Sequence, residues 1–372
     1  MTRALLVALA IVCCVTAPAI ASPSPVHARA YVVQDARTGD VLASYRAHAH
    51  LPIASITKLM TVLVALQHHE LTDVVTADPR AAVVGESTIE LRAGERITVH
   101  DLVEGALVQS ANDAAAALAL SVSPDFPSFA RLMNARARAL GLRDTRFVRP
   151  DGLDVPDQYS SAADVTKLAR IAMHNSFVRE TVRQGTATIS GGRTLHTWDD
   201  LLSILPQTFG VKTGHTAQAG WCQVAAARGR GATIYATLLG APSRDVRNDD
   251  LESLLVWGLA QFRVVPLVQA GRAYASAELP YGRDPLELVA ARPLVGTARI
   301  DHPLTEKVVA PAAIGLPVSQ GAVLGRVQVW DGARLIASRD LVASRTVNKP
   351  SAVRRLGWYA GRTLHHLAHL FS

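Results

Sequence analysis

The sequence predicts an α/β protein of the α+β type. It should hold one antiparallel sheet flanked by helices, then a small all-β domain and an amphipathic tail helix. Three observations point there. Short β-prone runs stand near residues 30–45 and again at 209–240, with helical periodicities between them. Beyond Val265 the helical period vanishes, while prolines and β-prone runs such as Val323-Leu324-Gly325-Arg326-Val327-Gln328-Val329 recur to about Val342. From Ser351 an amphipathic helical pattern returns. Strands at both ends of the first stretch imply a sheet built from chain-distant segments, with helices on its faces. At 372 residues, 49% hydrophobic and 19% charged, the chain is long enough for two cored domains. The expected divisions are 1–21, 22–263, 264–345 and 346–372.

Residues 1–21 read as an export signal. Arg3 precedes an apolar run from Ala4 to Val15, and Ala19-Ile20-Ala21 has the small-x-small form of a cleavage site. The run is too short to span a bilayer. Of three cysteines, Cys13 and Cys14 fall inside this signal. Only Cys222 is left, so no intrachain disulfide is expected, and Trp221-Cys222-Gln223-Val224 reads as a buried strand.

Tyr31-Val32-Val33 and Val41-Leu42-Ala43 flank a turn through Gly39 and predict a hairpin over Ala30–Tyr45. A largely apolar helix is expected from Ile56 to His69. Thr98 and Asp101 form a capping box for a helix towards Val108. Ser110 and Asn112 then lie on a short extended connection, with an alanine-rich helix starting near Asp113. Phe129 to Leu140 reads as a helix closed by Gly141, and Ser161 with Asp164 opens another through about His174. Phe209–Gly214, Trp221–Ala227 and Thr233–Leu239 are three expected strands, and Asp249–Phe262 is a helix.

A net charge of +7 implies attraction to anionic surfaces. Export argues against nucleic acid, and there is no zinc-ligand spacing, phosphate-loop glycine pattern or aromatic-basic interleaving. In residues 351–371, Val353, Leu356, Ala360, Leu364, Leu367 and Phe371 share one side. Arg355, Arg362, His366 and His369 share the other, with Trp358 and Tyr359 at the boundary. That pattern predicts a helix lying on an anionic membrane surface.

Three strings carry chemistry: Ser55-Ile56-Thr57-Lys58, Ser110-Ala111-Asn112 and Lys212-Thr213-Gly214. The chain has only five lysines, and two of them fall inside this ordered set. Residues three apart on a helix share a face, so Lys58 can reach the hydroxyl of Ser55. Lysine acts as a base only when burial and nearby cations depress its pKa, and a second cation at Lys212 acts in that direction. Ser110 can shuttle a proton, and Asn112 can hold a substrate carbonyl and contact Lys58. Gly214 lets a substrate backbone lie against the strand edge. The backbone N–H groups of Ser55 and His215 could form an oxyanion hole, while the His215 side chain is expected to be a polar neighbour. Together these are the parts of a serine acyl-transfer enzyme with a lysine base.

The set resembles the low-molecular-mass penicillin-binding proteins of the D-alanyl-D-alanine carboxypeptidase type, whose catalytic domain is shared with serine β-lactamases. Asp151-Gly152-Leu153-Asp154 and Gln158-Tyr159-Ser160-Ser161-Ala162-Ala163-Asp164 are similar to that family's stretch between the second and third motifs. Lys212-Thr213-Gly214-His215-Thr216 is similar to its extended third motif, and Arg247 stands ten residues before Trp257. Ala111 departs from the glycine more usual there, with little chemical consequence expected. The resemblance implies that residues 22–263 form a transpeptidase-like catalytic domain. Ser55 would attack the penultimate D-alanine carbonyl of a peptidoglycan stem, Lys58 would be the base, and Ser110 would protonate the departing D-alanine. Lys212, Thr213 and Arg247 would grip the free carboxylate. It also implies no cofactor or metal, β-lactams as inhibitors, and a periplasmic enzyme held at the outer face of the cytoplasmic membrane by its tail.

Two enzymatic alternatives share these residues. A serine β-lactamase needs a carboxylate near the acyl group, and Glu180 is the only glutamate between Asn112 and Lys212, too close to the third motif. A DD-endopeptidase would cut cross-links instead of free stem ends.

Overall fold

The structure, a computed structural model, describes residues 6–11 and 22–360. Residues 22–260 form one compact unit; 261–360, joined by Leu6–Ile11, form another.

The first unit is organised on five antiparallel strands. These are β1 (Ala30–Asp35), β2 (Val41–Tyr45), β3 (Thr208–Thr216), β4 (Gly220–Gly229) and β5 (Ala232–Ala241), in the spatial order β2-β1-β5-β4-β3. The N-terminal hairpin thus lies beside the last strand, with Val32 opposite Thr237. All three later strands run longer than the apolar runs alone indicate. β3, which carries Lys212-Thr213-Gly214, is an edge strand paired only with β4.

The helices around this sheet include α1 (Lys58–Ala65), α2 (Val99–Glu104), α3 (Asn112–Val122), α4 (Phe126–Ala139), α5 (Ala162–Ala172) and α6 (Arg244–Ala260). Ile234 and Thr237 on β5 are three residues apart and so face opposite sides of the sheet. Thr237 meets Thr166 of α5 through a buried 2.6 Å hydroxyl contact. Ile234 lies against Gly258 of α6, where an added Cβ would come within 3.0 Å. The two helices therefore sandwich the sheet. α3 is the centre of the helical layer: Ala114 to Ala117 and Ala119 are all buried, and side chains this small allow close helix approach. Asp113, also buried, accepts backbone N–H bonds from Ile89 and Leu91 and ties their loop to α3.

Capping follows the sequence where a short polar side chain precedes a helix. Thr98 accepts from Asp101 N, Ser161 from Asp164 N, and Gly141 ends α4 at φ +66°. Several boundaries differ from expectation. A 3-10 turn over Ala54–Thr57 precedes α1, which stops at Ala65. The connection after α2 is not extended. It is a π-helical turn over Gly105–Gln109, and Ser110 then takes a left-handed φ of +63°. Asn112 already belongs to α3. α4 begins at Phe126 because Asp125 caps it with Pro127 in its first turn, and α6 begins at Arg244. The small hairpins Val74–Thr76/Arg96–Thr98 and Thr186–Ile189/Arg193–His196 carried no readable period-two signal.

The second unit is all-β apart from one helical turn set. Its six-stranded sheet runs Leu6–Ile11, Leu304–Pro311, Val323–Asp331, Arg334–Ala343, Arg283–Ala290, Ala273–Leu279, and Phe262–Val268 pairs separately with Leu294–Arg299. Leu286, Leu288, Val327 and Leu341 form the buried centre. A helix over 352–360 follows; Trp358 packs edge-on against Tyr281 at 5.6 Å, while Val353, Leu356 and Tyr359 are exposed. Apart from Leu6–Ile11, the export-signal segment 1–21 lies outside the described residues, as do tail residues 361–372. Among the described residues no helix is long and apolar enough to cross a membrane.

Candidate active site

The 3-10 turn at Ala54–Thr57 sets the geometry of the first motif. With about three residues per turn, positions i and i+3 eclipse, which stacks Ser55 under Lys58 more directly than an α-turn would. Lys58 Nζ donates to Ser55 Oγ at 2.8 Å, to Asn112 Oδ1 at 2.7 Å and to the Asp151 carbonyl at 2.7 Å. These three acceptors use all the ammonium protons. Asn112 is fixed in turn by donating to the Gly85 carbonyl at 2.9 Å.

Two glycines allow this approach. At Gly152, with φ +89°, a Cβ would sit 2.1 Å from the Ala54 carbonyl oxygen, so only glycine lets the Asp151 carbonyl reach Lys58. At Gly214 a Cβ would lie 2.9 Å from both Ile53 O and Ser55 N. The β3 backbone therefore runs directly beside the amide of Ser55. Ala54 itself is held at φ +48°, a strained conformation for alanine, immediately before Ser55.

Lys212 Nζ donates to Ser110 Oγ at 2.9 Å and to the Thr213 carbonyl at 3.0 Å. The left-handed turn at Ser110 is what aims its hydroxyl at that amine. Lys58 and Lys212 are both buried, at 0% and 2% exposure. Burial brings the Lys58 pKa down to about 8, against the opposing pull of Asp151, Glu86 and Asp113. Burial, then the charge of Lys58, holds Lys212 well below the ordinary lysine range. Loss of water around both amines thus lowers the cost of removing a proton from either.

A cleft of about 170 Å³ opens above these amines, lined by Ser55, Ser110, Asn112, Thr213, Gly214, His215 and Arg247. Every site residue named from the sequence either lines it or, for Lys58 and Lys212, supports its floor. His215 stacks on Trp221 at 4.1 Å and shares a wall of the cleft with it. Cys222 is buried, with its thiol pushed up to about 12 by burial, which leaves it inert. A larger, open cleft of about 810 Å³ is lined by Arg131, Arg138, Arg143 and Arg146.

Sequence reasoning missed the segment 198–200. Trp198 lines the cleft and donates from Nε1 to the Gln109 carbonyl at 3.1 Å. Asp199 is buried, takes a 2.7 Å bond from Gln223, and has its carboxyl raised by burial. Asp200 binds Arg247 at 3.0 Å. Glu86 and Ser87 also line the cleft. Nothing in the string Trp198-Asp199-Asp200 announces partners that lie 24 to 89 positions away.

A family model described as D-alanyl-D-alanine carboxypeptidase, Peptidase_S11, matches residues 17–243. The chain belongs to the D-alanyl-D-alanine carboxypeptidase family. It is a serine-type D-Ala-D-Ala carboxypeptidase, a hydrolase of the penicillin-binding protein fold. The carboxypeptidase DacD of Salmonella typhimurium is 31% identical over 357 residues, covering 91% of this chain and 90% of that protein. Penicillin-binding protein 5 of Haemophilus influenzae superposes with a TM-score of 0.65 at 27% identity, over 88% of this chain and 100% of the other. Penicillin-binding protein D2 of Listeria monocytogenes, solved in an ampicillin-bound form, gives 0.57 at 29% identity over 63% of this carboxypeptidase and 98% of its own chain.

Proposed function

We propose that this carboxypeptidase removes the terminal D-alanine of peptidoglycan stem peptides through an acyl-enzyme on Ser55. The observation that carries the assignment is the 2.8 Å contact between Lys58 Nζ and Ser55 Oγ. Neutral Lys58 takes the hydroxyl proton as Ser55 attacks the penultimate D-alanine carbonyl. The backbone N–H groups of Ser55 and His215 receive the developing oxyanion, each donor worth about 10²–10³-fold in rate. Ser110, hydrogen-bonded to Lys212, passes a proton to the departing amine. Thr213 and Arg247 take the free carboxylate, as charge-assisted partners. Water then releases the shortened stem. The Lys212 amine, turned towards Ser110, is supported as a member of the proton relay ahead of any direct carboxylate contact.

Ampicillin is bound by the listerial relative. We extend that to this chain as acylation of Ser55 by penicillins with slow release of the adduct, and therefore inhibition. The β-lactamase alternative needs a carboxylate beside the acyl group: Glu180 lies in the helix Ser176–Thr181 and does not line the cleft, which leaves Glu86 as the glutamate that does. A chromogenic β-lactam should be consumed once per enzyme molecule; sustained turnover of many molecules per second would revive that alternative. Comparing D-alanine release from a pentapeptide with cleavage of a cross-linked dimer tests the endopeptidase alternative, which requires the dimer to react faster. We also propose export through residues 1–21, a periplasmic location and anchoring of residues 351–371 on the anionic outer face of the cytoplasmic membrane. The exposed Val353, Leu356 and Tyr359 beside Arg354 and Arg355 support that anchoring.

A further inference from the structure

Arg247 is almost wholly buried, at 1% exposure, yet it lines the catalytic cleft. A long side chain does not hold one position there unaided. Its Nε and Nη2 both donate to Asn248 Oδ1, at 3.1 and 2.6 Å, and Nη2 also donates to Asp200 Oδ2 at 3.0 Å. The ring of Trp221 lies 5.5 Å from its guanidinium carbon on another side. Nη1 has no hydrogen-bond partner among the described residues, so it is the nitrogen left for a ligand.

Asp200 does more than neutralise this charge. Its two oxygens receive Arg244 in a fork, at 2.7 and 2.5 Å, and Oδ2 also takes Asn248 Nδ2 at 2.9 Å. Arg244 lies 5.6 Å over Trp198, which forms part of the cleft wall. One carboxylate therefore fixes three residues at the start of α6, and links them to that wall. Its pairing with Arg244 keeps the Asp200 carboxyl below the usual range, so it stays anionic at working pH.

We infer that Asp200 is a positioning residue for substrate selection: it holds Arg247 so that Nη1 meets a terminal carboxylate, and so makes this enzyme choose free peptide ends. The inference rests on the reading of Arg247 as the carboxylate partner. It assigns a role to a residue outside the three motifs, and that role concerns which peptides bind, not how the bond breaks.

The test compares an N-acylated tripeptide ending in D-Ala-D-Ala with its C-terminal amide, on wild type, Asp200→Asn, Asp200→Glu, Arg247→Gln and the double variant Asp200→Asn/Arg247→Gln. Asp200→Asn should lower the acid-over-amide ratio of kcat/KM about ten- to hundredfold, carried in KM, since small misplacements of a binding group cost that much. Asp200→Glu, which keeps the charge, should recover most of it, and the double variant should be no worse than Arg247→Gln alone. Full labelling by saturating penicillin checks that each variant is folded. Additive losses in the double variant, or equal losses on acid and amide, overturn the role of Asp200. An unchanged ratio in Arg247→Gln overturns the reading of Arg247, and this inference with it.

Discussion

At the scale of single residues, the proposed mechanism depends on an amine whose pKa burial lowers to about 8. An ammonium at Lys58 must lose its proton before it can accept one from Ser55. With its pKa brought down to about 8, the competent neutral form grows as pH climbs through that value. The acylation rate on a peptide substrate should therefore rise from pH 7 to 9, and a flat profile over this range would exclude Lys58 as the base. Lys58→Met should cut acylation by at least about 10³-fold, the scale of a lost general base with its nucleophile left unactivated. The residues concerned were legible from spacing alone, because Ser55, Lys58, Ser110, Asn112 and the third motif sit in short local strings. Asp200 and the Asp151 carbonyl were not. Their roles come from contacts across 47 and 93 positions, and no local pattern encodes those.

At the scale of elements, the site is a meeting of one 3-10 turn, one left-handed turn and one sheet edge. Each needs a backbone conformation that side chains resist. Gly152→Ala would place a methyl 2.1 Å from the Ala54 carbonyl at a positive φ. It should push Asp151 off Lys58, lower acylation by penicillin more than tenfold and destabilise the protein by about 1–3 kcal/mol; a wild-type acylation rate and melting temperature would contradict that packing. Amphipathic periods and polar caps gave away α5, the strand set and the Gly141 stop. The π-turn before Ser110 and the 3-10 turn at Ser55 were not readable, because tertiary packing and not local propensity selects them. The early start of α6 at Arg244 has the same origin: Asp200 holds its first turn from outside.

At the scale of the whole molecule, the residues proposed to be catalytic all belong to the unit spanning 22–260, while the second unit is a β structure with its own core. Helical periodicity stopping near Val265 made that division visible in the sequence, since a sheet-only core needs no 3.6-residue repeat. The tail carries the proposed anchoring. Removing residues after Pro350 should release the protein from anionic vesicles and leave kcat/KM on a soluble tripeptide unchanged; continued co-sedimentation would refute anchoring by this helix. The most direct measurement is peptide mapping by mass spectrometry after brief exposure to penicillin. One penicilloyl adduct on Ser55, missing in Ser55→Ala, is the result predicted. An adduct on any other residue, or undiminished labelling of Ser55→Ala, would contradict the assignment of the nucleophile.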